Sequence, residues 1–156
     1  MPKPPDLSLF QVFIDRNIDS SDICAILTKA GLCVQRHKDH FDQEEDDDVW
    51  IAAVSNQNWV ILSADLNIES DHLDVLVRSK AKLLLLVGKR SGAVQWASSV
   101  VVARDRVFQL LADHDGPMII RLGKSGEIKT RLAAEVCQRQ RKIESARITR
   151  KKRHAR

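Results

Sequence analysis

The chain has 156 residues, 44% hydrophobic and 29% charged, with a formal net charge of +4. That length accommodates one domain with a proper core plus a short extension. No apolar run approaches the roughly 20 residues of a bilayer span; the longest strong one covers 83–87. The opening Met1-Pro2-Lys3-Pro4-Pro5 lacks the apolar core of a secretion signal. Three cysteines, Cys24, Cys33 and Cys137, form no CxxC pair and leave one over, so a reducing, cytoplasmic compartment is expected.

The net charge hides an asymmetry. Residues 129–156 hold eleven Lys or Arg against two acids, a surplus of nine, which leaves −5 for residues 1–128. An acidic body with a basic tail points to a polyanionic partner; the alternative is a solubilising, frayed helix.

In chain order, residues 10–15 read as a buried strand. Ile23, Ile26, Leu27 and Ala30 follow at helical spacing, with Ser20 or Ser21 as N-cap and Gly31 as the stop. Residues 32–35 read as a second strand. The acids Asp46, Asp47 and Asp48 then cap a helix that buries Trp50, Ile51 and Val54. Residues 59–63 form a third strand, 72–79 a helix, and 82–87 a fourth strand. A long helix runs from Ser91 through Trp96, Val100 and Val107 to Leu111. After Gly116-Pro117 the pattern changes: 118–122 and 127–129 flank a turn at 123–126, a hairpin signal. From Leu132 onward the chain is helix-prone and increasingly basic. Strands alternating with helices imply βαβ units and a mainly parallel sheet.

Two of these strands run into an aspartate, Asp15 and Asp65, and an acidic loop, Glu44 to Asp48, lies between them. In an open α/β sheet, ligands bind outside the carboxyl ends of the strands, so these acids are expected to converge. Two like charges 4 Å apart repel by about 4 kcal/mol at an effective dielectric of 20, which a divalent cation relieves. Mg²⁺ takes hard oxygen ligands and keeps several waters, so few carboxylates suffice.

Phe13-Ile14-Asp15-Arg16-Asn17, Asp47-Asp48-Val49-Trp50-Ile51 and Trp59-Val60-Ile61-Leu62-Ser63-Ala64-Asp65 resemble the PIN-like domain family, nearest to the PIN-like toxins of VapBC-type toxin–antitoxin systems. The resemblance is good over 10–90 and extends to about 131. It implies a three-layer α/β/α nuclease domain over 1–131, with 132–156 as a basic helical extension outside it. It also implies a divalent-metal-dependent endoribonuclease using Mg²⁺ or Mn²⁺, an RNA substrate and an antitoxin protein as partner, with self-association open. Carried over by residue, Asp15 is the acid after the first strand, Asp47 (or its neighbour Asp48) the acid opening the helix, and Asp65 the acid of the Ser-x-Asp element, supported by Ser63. The family's remaining Glu has no fixed counterpart; Glu45 or Glu44 lies in the right stretch.

Further candidates come from position. Arg16 and Asn17 follow the first acid, and Asn67 follows Asp65, as polar site residues or solvent-facing turn formers. Lys89 and Arg90 stand after the fourth strand, before a helix, where a phosphate contact fits. Arg139, Arg141 and Lys142 are expected to meet RNA phosphates. His37, His40, Asp39 and Asp42 lack the second ligand pair of a zinc site and read as solvated loop residues. Trp50, Trp59 and Trp96 fit packing better than base stacking. Two rival readings remain: a PIN-like module that binds RNA or protein without cutting, and a receiver-like phosphoacceptor domain. The second lacks an acid beside Asp15 and a lysine at a late strand end.

Overall fold

Apolar runs make the central strands, which are covered on both faces, whereas the two edge strands are mixed in composition and only partly buried. The computed structural model describes residues 6–89 and 92–155. Its sheet has six strands: β1 (Gln11–Ile14), β2 (Cys33–Arg36), β3 (Val60–Ser63), β4 (Lys82–Leu86), β5 (Met118–Leu122) and β6 (Ile128–Arg131). They lie in the order β2-β1-β3-β4-β5-β6, all parallel except β6, which returns antiparallel to β5. The expected α/β/α architecture with a mainly parallel sheet and a terminal hairpin is therefore present.

Alternate residues along each strand feed two separate cores. Val12, Ile14, Leu62, Leu84, Leu86 and Ile120 face one way, against α1 (Ser21–Lys29) and α6 (Ala93–Asp113). Phe13, Ile61, Leu83, Leu85 and Ile119 face the other way. There they meet α3 (Asp47–Asn56), the short α4 (Asn67–Asp71) and α5 (Leu73–Arg78), and the start of α7 (Ala133–His154). The steps β3 to β4 and β4 to β5 move the same way across the sheet yet cross on opposite faces. One of them must depart from the usual right-handed rule. The departure lays α6, 21 residues and about 31 Å long, across a face that nine-residue α1 is too short to cover.

Local signals act much as the sequence suggests. The Ser20 hydroxyl caps α1 by accepting from the Ile23 amide at 3.1 Å. The helix ends in a Schellman motif: Leu32 N–H donates to Leu27 C=O and Gly31 N–H to Thr28 C=O, with Gly31 at φ +91°. Two expectations need correction. Asp46 stands at the N-cap position of α3 but makes no side-chain cap bond. The stretch read as a solvated loop contains a helical turn, α2 (His37–His40), that buries His37 completely. Its ring lies among Phe13, Phe41 and Trp50, whose apolar surface drives that burial. Among the described residues no helix is long and apolar enough to cross a membrane.

The basic helix α7 is anchored at one end. Val136 is buried in the second core and Ile143 packs against it, whereas residues 144–155 are exposed. Beside Val136, the buried Glu69 of α4 accepts from three arginines: Arg121 of β5 (2.7 and 3.0 Å), Arg139 of α7 (3.0 Å) and Arg131 of β6. Removing one partner of a buried charge cluster is severe, because the others lose their counter-charge. The three arginines keep some contact with water, which holds the loss at the lower end of the usual range. Glu69→Ala is expected to destabilise the fold by about 3 kcal/mol, read as a lower denaturant midpoint. An unchanged midpoint would show that this cluster is not structural.

Candidate active site

The chain leaves β1 toward β2 on one side and returns past β1 to β3 on the other, so the sheet's switch point lies between β1 and β3. Parallel sheets place their ligand crevice at the carboxyl end of that pair. Ile14 is in register with Leu62, which sets Asp15 next to Ser63. The Asp15 amide donates to the Leu62 carbonyl at 2.9 Å, extending the ladder by one residue and fixing the carboxylate's position.

Ser63 is the hub between the two strand ends. Its buried hydroxyl donates to Asp15 Oδ2 at 2.7 Å and accepts from the Asp65 amide at 3.0 Å. Asn17 Oδ1 lies 3.5 Å from the same hydroxyl. Asp65 turns its Oδ1 to the Asn67 amide at 3.0 Å, an Asx turn that starts α4. Asp15, Ser63, Asp65, Asn17 and Asn67 thus form one connected group.

The acidic loop reaches this group through Arg16. Its guanidinium donates to the carbonyls of Gln43 (2.6 Å) and Glu45 (2.9 Å) and to Asp47 Oδ1 (2.9 Å). Asp47 also accepts from Trp50 Nε1 at 2.8 Å. The ring of His72 spans the two acids that open α3, with Nε2 3.3 Å from Asp47 Oδ2 and Nδ1 2.7 Å from Asp48 Oδ1. Asp48 is otherwise exposed, and Glu45 contributes its backbone carbonyl rather than a carboxylate contact.

The other expected site residues lie further off. Lys89 is exposed after β4. Arg90 is outside the described residues. Arg141 and Lys142 are exposed on α7, while Arg139 is turned to Glu69. Sequence reasoning passed over His72 and Glu69. Glu69 follows Asp65 by four residues, a one-turn spacing, but an acid in a short polar run reads as surface.

Asp15 is only 4% exposed and makes no ion pair among the described residues. Burial pushes its carboxyl above the ordinary value; the Ser63 hydrogen bond works against that, and the charge of Asp47 adds to it. A buried carboxylate that feels the charge of a second acid and makes no ion pair would be relieved by a cation. Among the described residues no three His, Cys, Asp or Glu side chains are close enough to hold an ion by themselves. The carboxylates of Asp15, Asp47 and Asp65 offer oxygen donors alone, the chemistry that hard cations such as Mg²⁺ accept.

The raised pKa has a consequence for stability. The folded state holds this proton more tightly than the unfolded chain. Stability from this residue therefore falls as pH rises from 3.8 through the raised folded value, and the penalty persists at neutral pH. Asp15→Asn keeps an acceptor for Ser63 and removes the charge. In EDTA at pH 7 its melting temperature is expected above that of the wild type, with the gap closing toward pH 4. A variant less stable than wild type at pH 7 would contradict this account of the site.

Residues 10–88 match a family model described as a PIN-like domain. No curated protein and no solved structure matches significantly. The match covers both strand-end acids, the acidic loop and Ser63, and spans half of the chain. The chain belongs to the PIN-like domain family.

Proposed function

We propose that this protein is a divalent-metal-dependent endoribonuclease whose centre is Asp15, with Asp47 and Asp65. The observation that carries the reading is Asp15 itself: a buried carboxylate at the switch point, destabilised as an anion by burial and by the charge of Asp47. Asp15 and Asp47 would hold Mg²⁺ or Mn²⁺, with Asp65 contributing directly or through water. When bound, such an ion supplies Lewis acidity to water and to the oxygens of a phosphodiester.

The chain's own groups do the positioning. Ser63 holds the Asp15 carboxylate in one orientation and ties it to Asp65. Arg16 keeps the acidic loop against α3 and neutralises part of the Asp47 charge until a cation takes that role. His72 braces Asp47 and Asp48 from the start of α5. The resemblance of the three sequence motifs supports assigning RNA as substrate. It is also what supports the finer proposal of a toxin held by a separate antitoxin.

Purified protein should cut a pool of structured RNAs in Mg²⁺ or Mn²⁺ and not in EDTA, and Asp15→Asn with Asp65→Asn should abolish cutting. The same ions should raise the melting temperature of the wild type and leave that of Asp15→Asn unchanged. Folded, partner-free protein that cuts nothing in either ion would replace this reading with the non-catalytic binding module.

The exposed end of α7 supplies sequence-independent affinity for the strand. Removing residues 144–156 takes away six arginines and lysines while sparing the buried Val136 and the Glu69–Arg139 contact. RNA affinity should weaken, and its logarithmic salt slope should drop by about 0.7 per lost phosphate contact. Unchanged affinity and slope would remove the tail from the binding surface.

A further inference from the structure

A second polar feature lies on the carboxyl side of the sheet, away from the acids. Residues after β4, at the end of β5 and around the β5–β6 hairpin line a cavity of about 430 Å³. Four of them are cationic (Lys89, Arg121, Lys124 and Lys129) and one, Glu127, is acidic. Glu127 is engaged in the turn, accepting from the Ser125 amide at 3.1 Å. The three lysines make no ion pair among the described residues.

Two observations say that these charges are arranged rather than incidental. Arg121 stands directly opposite Lys129 in the antiparallel β5–β6 pair. Like charges at that position repel, so the hairpin carries an unfavourable contact that an ordinary pair would avoid. Arg121 is also braced: both its Nε and one terminal nitrogen donate to the buried Glu69. A guanidinium fixed on one side by a carboxylate presents its remaining donor in a defined direction.

The charge of the cavity calls for an anion with several acceptor oxygens. Three strand spacings separate β1 from β5, so the cavity lies about 14 Å across the sheet edge from Asp15. One phosphate cannot touch both places. We propose that the cavity binds a second phosphate of the same nucleic-acid strand, a few nucleotides from the bond presented to Asp15. This assignment rests on the nuclease reading for the identity of the strand. Glu69 links the two places physically: α4 begins at the Asp65 turn, and its central residue holds Arg121.

The test is equilibrium binding rather than cleavage. A fluorescent single-stranded oligoribonucleotide is titrated with full-length protein in EDTA at several KCl concentrations. Lys89→Ala/Lys129→Ala is expected to raise Kd about tenfold and to lower the salt slope by about 1.4, two contacts at about 0.7 each. Its melting temperature should stay at or above wild type, since the repulsion with Arg121 is gone. Lys29→Ala/Lys38→Ala, two exposed lysines elsewhere, should leave both quantities unchanged. The proposal falls if the cavity pair keeps the wild-type Kd and slope, or if the control pair loses as much. It falls equally if wild type does not bind the oligonucleotide, or if inorganic phosphate alone binds through these lysines. A cavity-dependent affinity without cleavage in Mn²⁺ would sink the nuclease reading and leave the subsite standing.

Discussion

The carboxylate of Glu69 is the contact on which the second half of the fold depends. It lies buried in the middle of α4 and draws in one arginine each from β5, β6 and α7. A single anion inside three guanidiniums leaves the cluster with a positive surplus, and the arginines face water on their outer sides. The antiparallel hairpin and the basic helix are thereby fastened to the segment that follows the Asp65 turn. Apolar packing alone does not explain this docking, since Val136 is the one fully buried side chain of α7.

Asp15 is buried as deeply and is treated in the opposite way. Its side-chain partner is a neutral hydroxyl, burial and then the charge of Asp47 raise its pKa, and the one arginine beside it is turned to Asp47 and two loop carbonyls. Two buried acids on the same edge of one sheet thus have contrasting roles. Glu69 is saturated with positive charge and holds structure together. Asp15 makes no ion pair among the described residues, and that deficit is what the proposed cation would fill.

His37 shows how the site is supported from below. Its ring is wholly buried among Phe13, Phe41 and Trp50, and burial pushes its pKa down, which favours the neutral form. As a neutral aromatic, it helps seat α2 under the acidic loop that Arg16 gathers. Trp50 joins the two levels, stacking on Phe13 with ring centres 5.3 Å apart while its Nε1 holds Asp47.

Much of this molecule could be read along the chain. Apolar runs of three to five residues define the central strands, and capping residues define α1. Asp15 and Asp65 stand out because strand ends in a parallel sheet are where ligands bind, and Ser63 stands out through the resemblance to the PIN-like family. These features are local, and short-range sterics and hydrogen bonding determine them. The remainder depends on residues far apart in sequence. His37 looked solvated until three aromatics closed around it. Glu69 looked like surface until arginines 52, 62 and 70 positions away converged on it. Arg16 became a clamp only once the loop 27 to 31 residues on was folded back. Sequence determined which strand ends carry acids. Tertiary structure decided which acid is neutralised and which is left without an ion pair among the described residues, because that balance is set by which distant charges the fold brings into contact.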